Sequence, residues 1–387
     1  MAQTPAGTPE YTEQHFNAFL DRLLTTADRT VYEHIDLGLH HNVQYDQAQL
    51  LDLLAHCGLN SEFANGGAKT RRHETDGTVV RSDTRCPISR ALGRHLRHLD
   101  FASITSQFDA VFEELHSLTR NARLLPRQAD VAIDIHDWRY YGDPDTGWVL
   151  HTNLARGTNT AFKFLTACIV TEGCRLTVAA EPIRDDDHLP RLVDLMLTAA
   201  AEWVDIRRVF LDRGFYEVRF LQVLEAHDVD YVVRARRFPS LDDGDPTIRV
   251  EEGYRMGGSR PPYDVVTLTR FCVPHAENPD EKQSYFVTNR RVDEASAQAV
   301  ADSYRRRWGI ETSYRVIGEF LPRSRSTYFQ VRLFYFLFAV SLYNLWVVVN
   351  GLLSMAFGRP REDPLLTAAV FGRSLRDRWM PDRADPG

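Results

Sequence analysis

Three acids stand in this sequence where catalysis explains them better than solubility does. Asp134 follows the apolar run Val131-Ala132-Ile133, Asp212 follows Val209-Phe210-Leu211, and Glu311 lies inside a long helical stretch. An acid directly after a short apolar strand is carried to the carboxyl edge of a sheet, where α/β folds bind their ligands. If those two strands are neighbours, the aspartates meet, and a helix laid across the sheet can add the glutamate. Three gathered carboxylates repel one another unless a cation joins them, and oxygen-only ligands select Mg²⁺, with Mn²⁺ as its substitute. Two such ions about 3.5–4 Å apart can hold the attacking and leaving oxygens of an in-line displacement at phosphorus. The chemistry implied is water attack on a DNA strand, then attack by the freed 3′-hydroxyl on a second DNA. Taken singly, each acid has an ordinary explanation. Asp after a strand is a common turn residue, and Glu in an Arg-rich helix is usually a solvated ion pair.

The neighbours of Glu311 add to the pattern. Tyr304, Arg307, Glu311 and Arg315 are spaced by three, four and four residues, which places all four on one face of a continuous helix. Aromatic, cation, acid and cation in one stripe suit a surface that grips a phosphate backbone; an exposed face laced with salt bridges is the plainer alternative. Arg234 and Arg237, in Arg234-Ala-Arg-Arg237, follow a strand and are further candidates for phosphate, and Arg208 and Arg213 flank the second acid. Asp137, Asp143 and Asp145 could each replace Asp134, but only Asp134 directly ends the apolar run. His136 reads as a surface histidine.

The elements that must position these residues follow from periodicity. The first 15 or so residues read as a flexible tail. Residues 1–125 otherwise read as a helical N-terminal domain, with apolar spacing in Gln47–Leu59 and Phe101–Leu118, and DNA binding is one role for it. From residue 126 the texture becomes α/β. Ala129–Ile135, Phe162–Val170 and Arg175–Ile183 read as strands, Leu189–Val204 as a helix, Arg208–Leu211 as a strand, Phe215–Ala226 as a helix and Tyr231–Arg234 as a strand. Residues 236–291 break the alternation and read as a β-rich insertion around Val265–Phe271 and Ser284–Thr288. One helix is expected from Asp293, its N-cap, to Phe320. Residues 292–358 complete the core and 359–387 form a polar tail.

Bulk properties limit the function classes. The chain has 387 residues and a formal charge of −7, against the basic surface usual for DNA binding. Of its 46 basic residues only Lys69, Lys163 and Lys282 are lysine; the rest are arginine, the better fork for phosphate oxygens. Acid excess with so little lysine also suits a chain adapted to high salt. Cys57, Cys86, Cys168, Cys174 and Cys272 form no CxxC pair and are odd in number, which argues against a disulfide framework and a zinc site. With no secretory signal, the expected compartment is the cytoplasm. Leu333–Gly358 contains no charge and is long enough to cross a membrane, but its polar residues and scattered aromatics fit a buried core helix better.

The stretch Tyr304-Arg-Arg-Arg-Trp-Gly-Ile-Glu311 resembles the Tyr-x2-Arg-x3-Glu-x6-Lys signature of a group of bacterial and archaeal insertion-sequence transposases of the Asp-Asp-Glu class. "VAIDIHD" (Val131–Asp137), "FLDRGFY" (Phe210–Tyr216) and "YNLW" (Tyr343–Trp346) resemble the same family, most closely its haloarchaeal branch. The likeness covers about residues 125–355. It implies an α/β fold of the RNase H-like kind, its mixed sheet flanked by helices and its core split into 126–235 and 292–358. It implies a catalytic and metal-binding triad of Asp134, Asp212 and Glu311, with Tyr304 and Arg307 holding DNA near the scissile phosphate. The partners implied are the element's inverted repeats and a target DNA, with a homodimer assembled on them and no membrane. The signature's Lys is Gly318 here, and Arg315 is the expected replacement. The competing readings are an RNase H-like nuclease without strand transfer and a membrane-anchored binding protein.

Overall fold

The computed structural model describes residues 13–41, 43–76, 87–171, 173–241, 246–257, 265–274 and 283–379. The expected N-terminal tail up to residue 12, Cys86 and Lys282 lie outside them. In chain order, five helices come first: α1 (Glu13–Tyr32), α2 (Gln47–Leu59), α3 (Ala64–Asp76), α4 (Ser89–His98) and α5 (Phe101–Asn121). Then follow β1 (Gln128–Tyr140), β2 (Val149–Ala155), β3 (Thr158–Thr171), β4 (Cys174–Pro182), α6 (Leu189–Trp203), β5 (Asp205–Leu211), α7 (Val218–Ala226) and β6 (Tyr231–Arg234). The chain continues with β7 (Arg249–Met256), β8 (Val266–Pro274), β9 (Gln283–Thr288), α8 (Glu294–Tyr304), α9 (Trp308–Phe320), α10 (Phe329–Ala356) and α11 (Ala368–Trp379).

The chain divides into two compact units. One holds residues 1–124, 319–324 and 341–387, and its described elements are helices. Two of its helices, α2 and α5, start at aspartate caps. Asp46 and Gln49 form a capping box at α2, and Asp100 accepts from the Ser103 amide at 2.7 Å at α5. Leu50, Leu53 and Leu54 of α2, Phe108 and Leu115 of α5, and Phe371 and Leu375 of α11 are buried in it. The last of these belong to a helix in a region expected to be tail. With five polar or charged residues in its last seven, α11 gives little signal beyond its buried Phe371 and Leu375.

The other unit, residues 125–318 and 325–340, is built on one nine-stranded mixed sheet. Its strand order is β2-β3-β1-β5-β6-β9-β8-β7, with β4 also paired to β3. β1, β5 and β6 run parallel to one another, while β3 is antiparallel to β1 and β4 antiparallel to β3. β6 then pairs antiparallel with β9, β9 with β8 and β8 with β7. The segment expected as an insertion therefore extends the same sheet. Both faces of the central strands are covered. Ala132, Phe210, Val232 and Phe286 pack with Ala297, Ala301, Tyr304 and Ile310 of α8 and α9, and Val131 and Ile133, on the alternate face, are also fully buried. α6 packs on β1, β3, β4 and β5 through Leu189, Val193, Met196, Leu197 and Ala200, a stripe at helical spacing.

The single helix expected from Asp293 to Phe320 is interrupted. A 3-10 turn, Arg305–Arg307, separates α8 from α9. α10 is the one helix among the described residues long and apolar enough to cross a membrane, and 83% of its most apolar window is buried.

Candidate active site

β1 and β5 deliver the two aspartates. Their parallel ladder ends at the pair Ile133 and Leu211, so Asp134 and Asp212 are the next residue on each strand. Ala132 and Phe210 pair across the ladder and face α8 and α9, and alternation turns the two acids the same way. The strand expected over Ala129–Ile135 is longer than that. β1 runs on to Tyr140, paired with β3 from Asp134 opposite Thr166 to Tyr140 opposite Thr160. What ends at Asp134 is the pairing with β5, leaving the carboxylate beside the notch where β5 stops. Asp212 caps the short turn Arg213–Phe215, and its Oδ1 accepts from the Gly214 amide at 2.7 Å.

α9 delivers Glu311, and Gly309 sets how closely that helix can lie. A Cβ at 309 would come within 3.1 Å of both Val170 Cγ1 and Arg175 Nε, so a side chain there would push α9 away from β3. Tyr314, one turn beyond Glu311, donates its hydroxyl to the Asp134 carbonyl oxygen at 2.9 Å. With that proton committed, Thr166 Oγ1, 2.7 Å away, is the donor to the Tyr314 oxygen. Tyr314 thus ties the glutamate's helix to the backbone of the first aspartate.

Arg307 lies between the acids. Its Nη1 donates to Asp134 Oδ2 at 3.0 Å and its Nη2 to Glu311 Oε1. The Arg307 side chain is 10% exposed and Asp134 14%, whereas Glu311 is 54% exposed. Burial first, and the Asp212 carboxylate second, push the Asp134 carboxyl up to about 7; Arg307 and the Ile135 amide pull it down. Asp134 therefore feels the charge of Asp212. Burial works against the Arg307 charge, but Tyr304, Asp134 and Glu311 outweigh it and hold the guanidinium above its ordinary value.

The residues expected to grip DNA fall into two groups. Tyr304 and Arg307 were expected on an exposed stripe with Glu311 and Arg315. Both are buried, at 7% and 8% exposure, because the 3-10 turn breaks the phase of the helix before Trp308. The Tyr304 hydroxyl donates to the Leu211 carbonyl oxygen at 3.1 Å. Arg237 and Arg315 are exposed and Arg234 partly so, its guanidinium 5.2 Å from the centre of the Phe286 ring. His136, expected at the surface, is half-buried: it stacks on Phe336 and lies against Tyr314, and burial lowers it to about 4. Asp137 accepts from the Thr152 hydroxyl, and Asp143 and Asp145 sit in the β1–β2 connection.

The donor set fits a hard divalent cation. It supplies oxygen only, the Asp212 and Glu311 charges help raise Asp134, and the Arg307 guanidinium already bridges two of the acids. Among the described residues, no three Asp, Glu, His or Cys side chains are close enough to share one ion in this conformation. One Asp212 oxygen is engaged by its own turn, and Arg307 occupies the place between Asp134 and Glu311.

The fold is similar to that of the piggyBac transposase, solved by cryo-EM as a synaptic complex with hairpin DNA. The TM-score is 0.57 at 13% identity, over 97% of this chain and 82% of that one. Residues 127–345 match the family described as Transposase DDE domain, and the chain belongs to that family. No curated protein matches it.

Proposed function

We propose that this protein is a metal-dependent DNA transposase that binds the inverted-repeat ends of its element, cleaves them and joins them to target DNA. The observation that carries the reading is the placement of Asp134 and Asp212 one residue past the last pair of two parallel strands, with Glu311 tied to Asp134 through Arg307. Asp134, Asp212 and Glu311 are the catalytic and metal-holding acids, for Mg²⁺ or in its place Mn²⁺. A bound divalent ion would supply Lewis-acid stabilisation at the scissile phosphate. The strand order β4-β3-β1-β5-β6, with its parallel and antiparallel pairs, supports an RNase H-like core.

Arg234, Arg237 and Arg315 are the DNA-contacting residues best exposed for phosphate, and their forks suit its oxygens. Tyr304 and Arg307 act beneath them, holding the acids. The buried Nε of Arg307 has no acceptor among the described residues. Membership of the Tyr-Arg-Glu-Lys group, a haloarchaeal affinity, a cytoplasmic setting without a membrane, and a homodimer on paired DNA ends complete the proposal.

The test is cleavage of a plasmid carrying the DNA that flanks this gene, with Mg²⁺. Asp134→Asn, Asp212→Asn and Glu311→Gln should each abolish cleavage while DNA binding persists. Joining of the freed ends to a second plasmid separates a transposase from a nuclease. Wild-type cleavage by Asp134→Asn would overturn the reading.

A further inference from the structure

We propose that Asp130 is a positioning residue for this site, acting through Arg306 to seat the Arg305–Arg307 turn so that Arg307 faces Asp134. Asp130 lies on β1 four residues before Asp134, and strand alternation puts both side chains on one face. Its side chain is completely buried. Arg207 Nε donates to its Oδ1 at 2.7 Å and Arg207 Nη2 to its Oδ2 at 2.6 Å. Arg306 Nη1 adds a third bond, to Oδ2, at 2.8 Å. A buried carboxylate is expensive unless its oxygens are satisfied, and Arg207 alone satisfies it with a bidentate fork. The second arginine therefore needs another explanation.

Position provides it. Arg306 and Arg307 are consecutive residues of the 3-10 turn between α8 and α9. Arg306 takes Asp130 and Arg307 takes Asp134. A turn fastened to β1 at one point can pivot about that point; fastened at two points along the strand, its rotation is fixed. Losing the Asp130 bond leaves Arg307, and the Glu311 that it holds, free to move relative to Asp134. Reacting groups displaced by about 1 Å can lose about a hundredfold in rate.

The inference rests on the reading of Asp134 as an active-site acid, and the experiment separates the two. Arg306→Gln leaves Asp130 paired with Arg207, so the fold is retained. Its unfolding midpoint and its affinity for the flanking DNA should stay near wild type. Its cleavage of the flanking-DNA plasmid should slow by about 10–100-fold. Binding of Mn²⁺ alone, read by electron paramagnetic resonance, should weaken by about tenfold, as supporting residues of metal sites commonly show. Arg306→Lys should restore most of both, because Arg306 makes one N–H···O contact that an ammonium can replace. Arg207→Lys should not be silent, since a lysine cannot reproduce the fork. Arg305→Gln, whose Asp302 partner is exposed, should match wild type. Cleavage and Mn²⁺ binding near wild type in Arg306→Gln, beside a dead Asp134→Asn, would sink this inference alone. So would a loss that follows lowered stability and is not rescued by Lys. Normal cleavage by Asp134→Asn would instead remove the site reading beneath it.

Discussion

The Tyr304 hydroxyl donates to the carbonyl oxygen of Leu211 across 3.1 Å, at the peptide that leads into Asp212. The last residue of α8 thus holds the end of the strand that carries the second acid. Tyr304→Phe removes one buried hydrogen bond and leaves the ring packed. Stability should fall by about 1 kcal/mol in a denaturant titration, and cleavage should slow. Affinity for DNA should not change. A large loss of DNA affinity with normal cleavage would return Tyr304 to the DNA-contacting group.

Arg307 supplies positive charge between Asp134 and Glu311 in the metal-free protein. In Arg307→Gln no guanidinium competes with an added ion for the place between these two acids. Mg²⁺ should then raise the unfolding temperature more in Arg307→Gln than in wild type. Equal shifts in the two proteins would mean that the ion does not bind among these acids.

The Asp134 carboxyl stands at about 7, above its ordinary value, so in the metal-free protein it keeps its proton as far as neutrality. The raised value favours the folded state at low pH, and that contribution is lost as pH rises through about 7. Binding a cation must release the proton, so Mn²⁺ affinity should climb with pH up to about 7 and level above it. Asp134→Asn should flatten this profile. Mn²⁺ affinity independent of pH in the wild type would show that Asp134 is not a ligand.

Gly318 is exposed and has open space where a side chain would start. On α9 it lies seven residues past Glu311 and three past Arg315, on the same face. Arg315→Ala should weaken DNA binding and reduce the slope of log affinity against log salt by about 0.9, one phosphate contact. Gly318→Lys in that background should restore the slope. Arg305→Ala, off that face, should leave it alone. If Arg315→Ala binds DNA with an unchanged slope, the missing cation is supplied elsewhere or not at all.

Much of this site could be read from the sequence because strands that bury both faces leave continuous apolar runs. Val131-Ala132-Ile133 and Val209-Phe210-Leu211 are such runs, and the acids after them fall side by side in the structure. β2 and β7 were not legible. They are the outer strands of the sheet, largely half-exposed, and carry no apolar run. The 3-10 break was hidden too, since Tyr304 to Glu311 contains no proline and its one glycine, Gly309, lies inside α9. Its effect is to bury Tyr304 and Arg307, which helical spacing alone had turned outward. Asp130 gave no signal, because its partners Arg207 and Arg306 are far from it in the chain and only the sheet and the turn bring them together.

β1 continues for six residues beyond Asp134 while still paired to β3. The first acid is therefore mounted in the interior of a ladder, with paired backbone on either side of it, and not on a loop. Amide protons on the β3 side of this stretch should exchange with solvent only on opening of the sheet, far more slowly than those around Arg213 and Gly214. Of the two aspartates, Asp134 is the fixed jaw. Any closing movement around a bound strand must come from the turn after Asp212 or from α9.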